Sequence, residues 1–306
     1  MPDPTNDTNL TVAEGEFPAL YLAADGAART AQKRHLMFTG TILTALVLSA
    51  TLGTLAGIFH SVSKLLALAS GAGAAVSFMV TSIRKAMRPE KLWYTGRAAA
   101  ESAKSAAWHY MMGADPYPVS LPPAEADSKF IADLRAMAKD QAQGALGLGG
   151  AFSDRPQITA RMREVRSLPL EQRRRIYLAS RIADQRRWYG DKARKSQVVA
   201  NRYFVVIQAS QAMTLVATVL LLSPLGSKWN LGGIFSALAS ALIAWLQVRQ
   251  HEELAQTYSV TALDLGFIEE QGAAAATEKD LSAFVVDAED TLGQEHSQWI
   301  ARKSPG

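Results

Sequence analysis

The sequence predicts an all-α membrane protein: four transmembrane helices arranged as two helical hairpins, with inner ends extended into a cytosolic helical bundle. Three observations carry the prediction. Residues 36–59 and 65–83 hold no charged side chain. At about 1.5 Å per residue the first run crosses a hydrocarbon core about 30 Å thick with some tilt, and the second is just long enough. The same pattern recurs at 203–227 and 229–248, and no convincing strand pattern is present anywhere.

Mean hydropathy near zero matches a soluble protein only because the apolar residues are gathered into four blocks. Cysteine is absent, which excludes disulfides, thiolate metal sites and cysteine nucleophiles. The net charge of +4 matters through its placement. Basic residues crowd the outer flanks of both hairpins, with Arg84, Lys85 and Arg88 beside the first and Arg186, Arg187 and Arg202 before the second. Each hairpin turn holds one lysine, Lys64 or Lys228. The excess of basic residues on one side predicts a multi-pass membrane protein with both termini and the middle region cytoplasmic and two short turns outside. Topology alone accounts for these clusters, and the alternative is that they also bind a specific anionic ligand or lipid headgroup at the inner leaflet. The first apolar block starts too late and runs too long for a signal peptide.

Along the chain, residues 1–18 are polar and read as a disordered or loosely attached N-terminus. A first two-span unit covers 19–143, with spans 36–59 and 65–83 and a turn at 60–64. Small residues recur four apart in both of its spans: Ser49, Gly53 and Gly57 in one, Ala67, Gly71 and Ala75 in the other. That spacing lets helix backbones approach closely, within a hairpin or, as the alternative, between subunits. Beyond Arg84 the helix is expected to continue through Trp93 and Trp108 to Gly113, where a Pro-rich turn cluster stops it. A short helix with Phe130, Ile131, Leu134 and Met137 on one face follows.

Residues 144–166 read as a linker. The Gly-Ala-Leu-Gly-Leu-Gly-Gly run within it lacks the Gly-Lys-Ser/Thr ending and the strand of a phosphate loop. The second unit spans 167–303, with spans 203–227 and 229–248. Ser167 reads as a helix cap, opening one long helix that runs into the third span. After the fourth span the helix is expected to continue to Gly272. Thr277 then caps a final amphipathic helix bearing Leu281, Phe284, Val285, Ala288, Leu292 and Trp299.

Four pieces of sequence resemble a known family. They are Trp93-Tyr-Thr-Gly-Arg-Ala-Ala-Ala-Glu-Ser-Ala-Lys-Ser-Ala-Ala-Trp108, Leu168-Pro-Leu-Glu-Gln-Arg-Arg-Arg-Ile-Tyr-Leu, Asp184-Gln-Arg-Arg-Trp-Tyr-Gly-Asp-Lys192-Ala-Arg-Lys and Ala288-Glu-Asp-Thr-Leu-Gly-Gln-Glu-His296-Ser-Gln-Trp299. Their order around two hairpins resembles the bacterial SLATT proteins, the SMODS and SLOG-associating two-transmembrane effector domains, as a tandem two-unit member. The resemblance implies a membrane effector of a bacterial conflict or stress-response system, pore-forming or channel-like. With no fused nucleotide-sensing domain, it implies a separate nucleotide-signal sensor protein as partner.

In the third span, Gln208, Gln211, Thr214 and Thr218 share one helical face, and Ser236 and Ser240 fall on a small-residue stripe of the fourth. Such a face lines a narrow aqueous path or hydrogen-bonds between helices. A pore around an aqueous axis calls for a homo-oligomer. The alternative is a non-conducting membrane scaffold whose cytosolic helices dock a partner or sensor. The five histidines are scattered, with no metal-ligand spacing and no Ser/His/Asp arrangement, so neither an enzyme nor a cofactor is expected. The basic helix abuts the inner leaflet, so lipid is expected as its partner and nucleic acid is not.

Overall fold

The computed structural model describes residues 11–143, 154–223 and 231–303, with side chains except at 140–143 and 294–303. Ten α-helices and no strand occur among the described residues: α1 Ala19–Ile58, α2 Ser63–Met87, α3 Pro89–Met112, α4 Pro123–Gln143, α5 Ala160–Ser167, α6 Leu170–Tyr177, α7 Asp184–Leu221, α8 Gly232–Arg249, α9 His251–Ala273 and α10 Glu278–Lys303. A π-helical segment, Leu178–Ala183, joins α6 to α7, so one helix runs without interruption over Leu170–Leu221. Two compact units result. One comprises 1–32, 90–190 and 259–306, and the other 33–89 and 191–258.

The first unit is organised by aromatic side chains and alanines. Phe17 packs on Trp108 at 5.7 Å, Trp108 on Tyr177 at 5.5 Å, and Tyr177 on Phe284 at 5.8 Å, each edge to face. Tyr110 and Tyr117 close around Phe130 of α4. On α3, Ala99, Ala100, Ala103 and Ala107 are almost fully buried, and small side chains let neighbouring helices come close. Gly96 marks the nearest approach: a Cβ there would meet the Ala28 Cβ at 3.1 Å and the Ala24 carbonyl at 3.2 Å.

The end of α3 is held by arginines. Gly113 takes the left-handed conformation at φ +64°, which glycine adopts without steric cost. Arg166 donates to the Tyr110 and Tyr117 carbonyls at 2.8 Å and to Pro118 at 3.0 Å. Arg173, only 1% exposed, donates to the Met112 and Leu168 carbonyls and pairs with Glu278. These bonds satisfy carbonyls that a helix end otherwise leaves open.

In the second unit, Ser49 and Ser70 exchange hydrogen bonds across the first hairpin, each hydroxyl donating to the other's carbonyl at 2.8 Å. Gly73 lies against this pair, where a Cβ would meet the Ala45 carbonyl and the Ser49 Cβ at 3.2 Å. α8 packs on α1, with Trp245 over Gly40 and Gly233 beside Thr54. α7 buries a stripe of mostly small residues, Ala193, Ser196, Ala200, Ile207, Ser210 and Ala217. The outward faces are apolar: Leu68, Phe78, Phe204, Leu215 and Val219 are all at least 60% exposed. The four spanning windows are only 6–17% buried. Hydrocarbon is the solvent that accepts such a surface.

Several expectations are corrected. Residues 11–18 are docked: Phe17 is 3% exposed, Thr159 donates to the Glu16 carbonyl and Arg161 to the Thr11 carbonyl. One buried aromatic outweighs the polarity of its neighbours. The second span does not run on into α3. Arg88 takes a left-handed conformation (φ 43°, ψ 49°) with its N–H on the Arg84 carbonyl, and the ring of Pro89 excludes the helical conformation for the residue before it. The fourth span breaks in the same way at Gln250 (φ 48°, ψ 40°), whose N–H donates to Leu246. Ser167 does not cap a helix. It ends α5, a helix unforeseen inside 144–166 and capped by Thr159, which accepts the Met162 N–H, while Pro169 precedes α6. The first turn is also tighter than expected, since α2 starts at Ser63. The second turn, 224–230, the glycine run at 144–150 and the Trp299 side chain lie outside the described residues.

Candidate functional site

The polar face predicted on the third span is open. Gln208, Gln211 and Thr218 are exposed and Thr214 is half-buried, while Ile207, Ser210 and Ala217 take the packed side of α7. The two threonine hydroxyls are satisfied within the helix, Thr214 donating to Ser210 and Thr218 to Thr214. Neither glutamine has a hydrogen-bond partner among the described residues. Ser236 and Ser240 are likewise exposed on α8, on either side of the buried Ala239. Among the described residues these groups therefore form no interhelical bonds. An amide facing hydrocarbon without a partner costs on the order of several kcal/mol, so such a face requires water or a second polypeptide.

The small residues divide. Ser49 and Gly53 face α2, with Gly53 against the Ser70 hydroxyl at 3.3 Å, whereas nothing lies within 4 Å of a Cβ built at Gly57. On α2 the packing positions are Ser70, Gly73 and the buried Ser77, and Ala67, Gly71 and Ala75 are exposed. The hairpin uses the neighbouring stripe of small residues instead of the expected one. Among the flanking basic residues, Arg84 reaches back to the Thr39 hydroxyl at 3.3 Å. Lys85, Arg88 and Arg202 are exposed, Arg186 pairs with Glu269 at 2.7 Å, and Arg187 lies 3.7 Å from Asp184.

The sequence reading missed a buried polar network in the first unit. Arg181, in the π-helical segment, donates through Nε and Nη2 to the two oxygens of Glu289 on α10 at 2.9 and 2.8 Å, and the Tyr177 hydroxyl donates to the same carboxylate at 3.0 Å. Their exposures are 3%, 3% and 0%. Burial works against the charge of Arg181, and Glu289 more than restores it, so its pKa lies above the ordinary arginine value. Burial and then the Glu289 charge push the Tyr177 phenol up. The pair is the floor of a cleft of about 830 Å³ between α3, α4 and α10. Extra-wide helical turns are frequent at functional sites, and here the wide turn lies beside that floor. No group of residues suited to a metal ion occurs among the described residues.

Nearby, the Lys104 ammonium lies over the Phe17 and Tyr21 rings at 5.4 and 5.7 Å. Burial, and then Arg181, pull its pKa down. Arg97 links Glu101 at 2.6 Å to Asp25 at 3.4 Å.

Two hairpins of apolar helix with basic flanks, followed by helices that bury the Arg181–Glu289 pair in a core of aromatic side chains and alanines, define a four-span membrane protein of tandem two-span design. Residues 18–174 match the family described as SMODS and SLOG-associating 2TM effector domain 3, and residues 177–299 match SMODS and SLOG-associating 2TM effector domain 1. The chain belongs to the SLATT family of 2TM effector domains, which it carries in tandem. No curated protein and no solved structure matches it.

Proposed function

We propose that the protein is a bacterial inner-membrane effector that assembles into a homo-oligomeric, pore-like structure. In this reading both termini are cytoplasmic, and a conflict or stress response triggers the protein through a separate sensor protein. The observation that carries the reading is the open Gln208–Gln211–Thr218 face on α7. A monomer in lipid leaves two amides unsatisfied, whereas copies arranged around an axis turn them toward water. The exposed Lys85, Arg88 and Arg202 support the orientation. The protein acts by assembly, without catalysing a reaction.

Purified protein reconstituted in liposomes with an entrapped dye tests this. Release is expected from the native chain and should fall at least tenfold for Gln208→Leu with Gln211→Leu, which removes both amides and keeps the helix. Monomers only after crosslinking in native membranes, together with intact liposomes, would overturn it. That result would favour the second reading, a non-conducting scaffold, which the cleft in the first unit supports as a place for a partner or ligand.

A further inference from the structure

The cleft above Arg181 has a chemistry that the pore reading does not use. Its floor donates: Arg181 is 3% exposed and gives Nε and Nη2 to Glu289, while Nη1 has no partner among the described residues. A guanidinium nitrogen in that position takes an oxygen acceptor. The walls carry the opposite charge. Asp133 on α4 accepts the Tyr117 hydroxyl at 2.7 Å through one oxygen, and its other oxygen has no partner among the described residues. Asp290 on α10 is exposed and likewise has none among the described residues. Glu101 is matched by Arg97 at 2.6 Å and Glu289 by Arg181 at 2.8 Å, so Asp133 and Asp290 are the excess charge of the lining, and a purely anionic ligand such as a phosphate is repelled. The acceptor must therefore arrive on a molecule that also carries positive charge. Two carboxylates with free oxygens on two different helices call for two cationic ends. Between them, Ala106, Ala136, Met137 and Leu292 offer apolar wall to a methylene stem. A volume of about 830 Å³ falls within the range of small-molecule sites, roughly 300–1,000 Å³.

We propose that this cleft is a binding site for a dibasic amino acid, its carboxylate on Arg181 and its two cationic ends on Asp133 and Asp290. The site lies wholly within the first unit and does not depend on whether the spans conduct.

Isothermal titration of the full chain in nanodiscs with L-arginine and with L-lysine tests it, with L-glutamate as the charge-reversed control. One equivalent of L-arginine or L-lysine binds, and L-glutamate does not. Asp290→Asn weakens binding roughly tenfold, the usual scale for one charge-assisted hydrogen bond. Ala136→Trp, at an exposed position on the wall, abolishes it. Both variants alter exposed side chains and keep the native melting profile. The proposal is overturned if neither dibasic amino acid binds, if L-glutamate binds as well as they do, or if affinity survives both substitutions in folded protein.

Discussion

With Arg181 and Glu289 both almost free of solvent, removing either charge strands the other. Glu289→Gln leaves a buried guanidinium without its counter-ion and should cost about 3–5 kcal/mol, whereas Arg181→Met combined with Glu289→Met should recover most of that loss. Chemical denaturation in detergent, followed by tryptophan fluorescence, measures both. A second residue-scale prediction concerns acid. Hydrogen bonding to Thr277, through its side chain first and its backbone second, holds the Asp280 carboxyl below its ordinary value of 3.8. Its contribution is complete above that ordinary value and disappears as pH falls through the lower folded value. The first turn of α10 should therefore lose protection from hydrogen exchange in strong acid, and Asp280→Asn should remove that dependence. The cap itself was legible, because Thr277 and Asp280 are neighbours in sequence. The Arg181–Glu289 pair was not: 108 positions separate its members, and Arg181 reads like any basic residue on a membrane flank.

Among the elements, both even-numbered spans stop at a left-handed residue that is not glycine, Arg88 and Gln250. That conformation costs an L-residue with a side chain about 1–2 kcal/mol. Gln250→Gly should raise stability by about 1 kcal/mol, and a thermal melt in detergent reads the shift. The first break was written in the chain by Pro89, although the polar pattern beyond Arg84 suggested a continuous helix. No proline or glycine marks the second, which only the three-dimensional setting reveals. The small residues on α2 carry a similar lesson. Ala67/Gly71/Ala75 and Ser70/Gly73/Ser77 are equally suited to close packing, and only the partner helix selects between them. α5 was hidden by its charge: its Arg161, Arg163 and Arg166 look like linker residues until Met162 and Val165 are seen to be buried between them.

For the whole molecule, composition alone was enough to mark the spans, since uncharged runs of that length have few other uses. The assembly of the compact units was not legible, because each unit draws on both matched segments. Trp108 of one segment packs on Tyr177 of the other, which packs in turn on Phe284. Residues 18–174 expressed alone should therefore lack a cooperative melt, because Tyr177, Arg181 and α10 are missing from their core.

A cut elsewhere should have the opposite outcome. The reciprocal bonds between Ser49 and Ser70 fix how far one span slides along the other, and they do so without help from the peptide that joins them. A protein nicked between His60 and Val62 should keep its alignment, and two separately made fragments ending and beginning there should find each other in the bilayer. Co-purification of the pair through a tag on one fragment would reveal it, and Ser49→Ala with Ser70→Ala should weaken that recovery while leaving the uncut chain intact. Connectivity at that loop is then a convenience of synthesis, and the information that pairs the two helices of the hairpin resides in the seam where Ser49 and Gly53 meet Ser70 and Gly73.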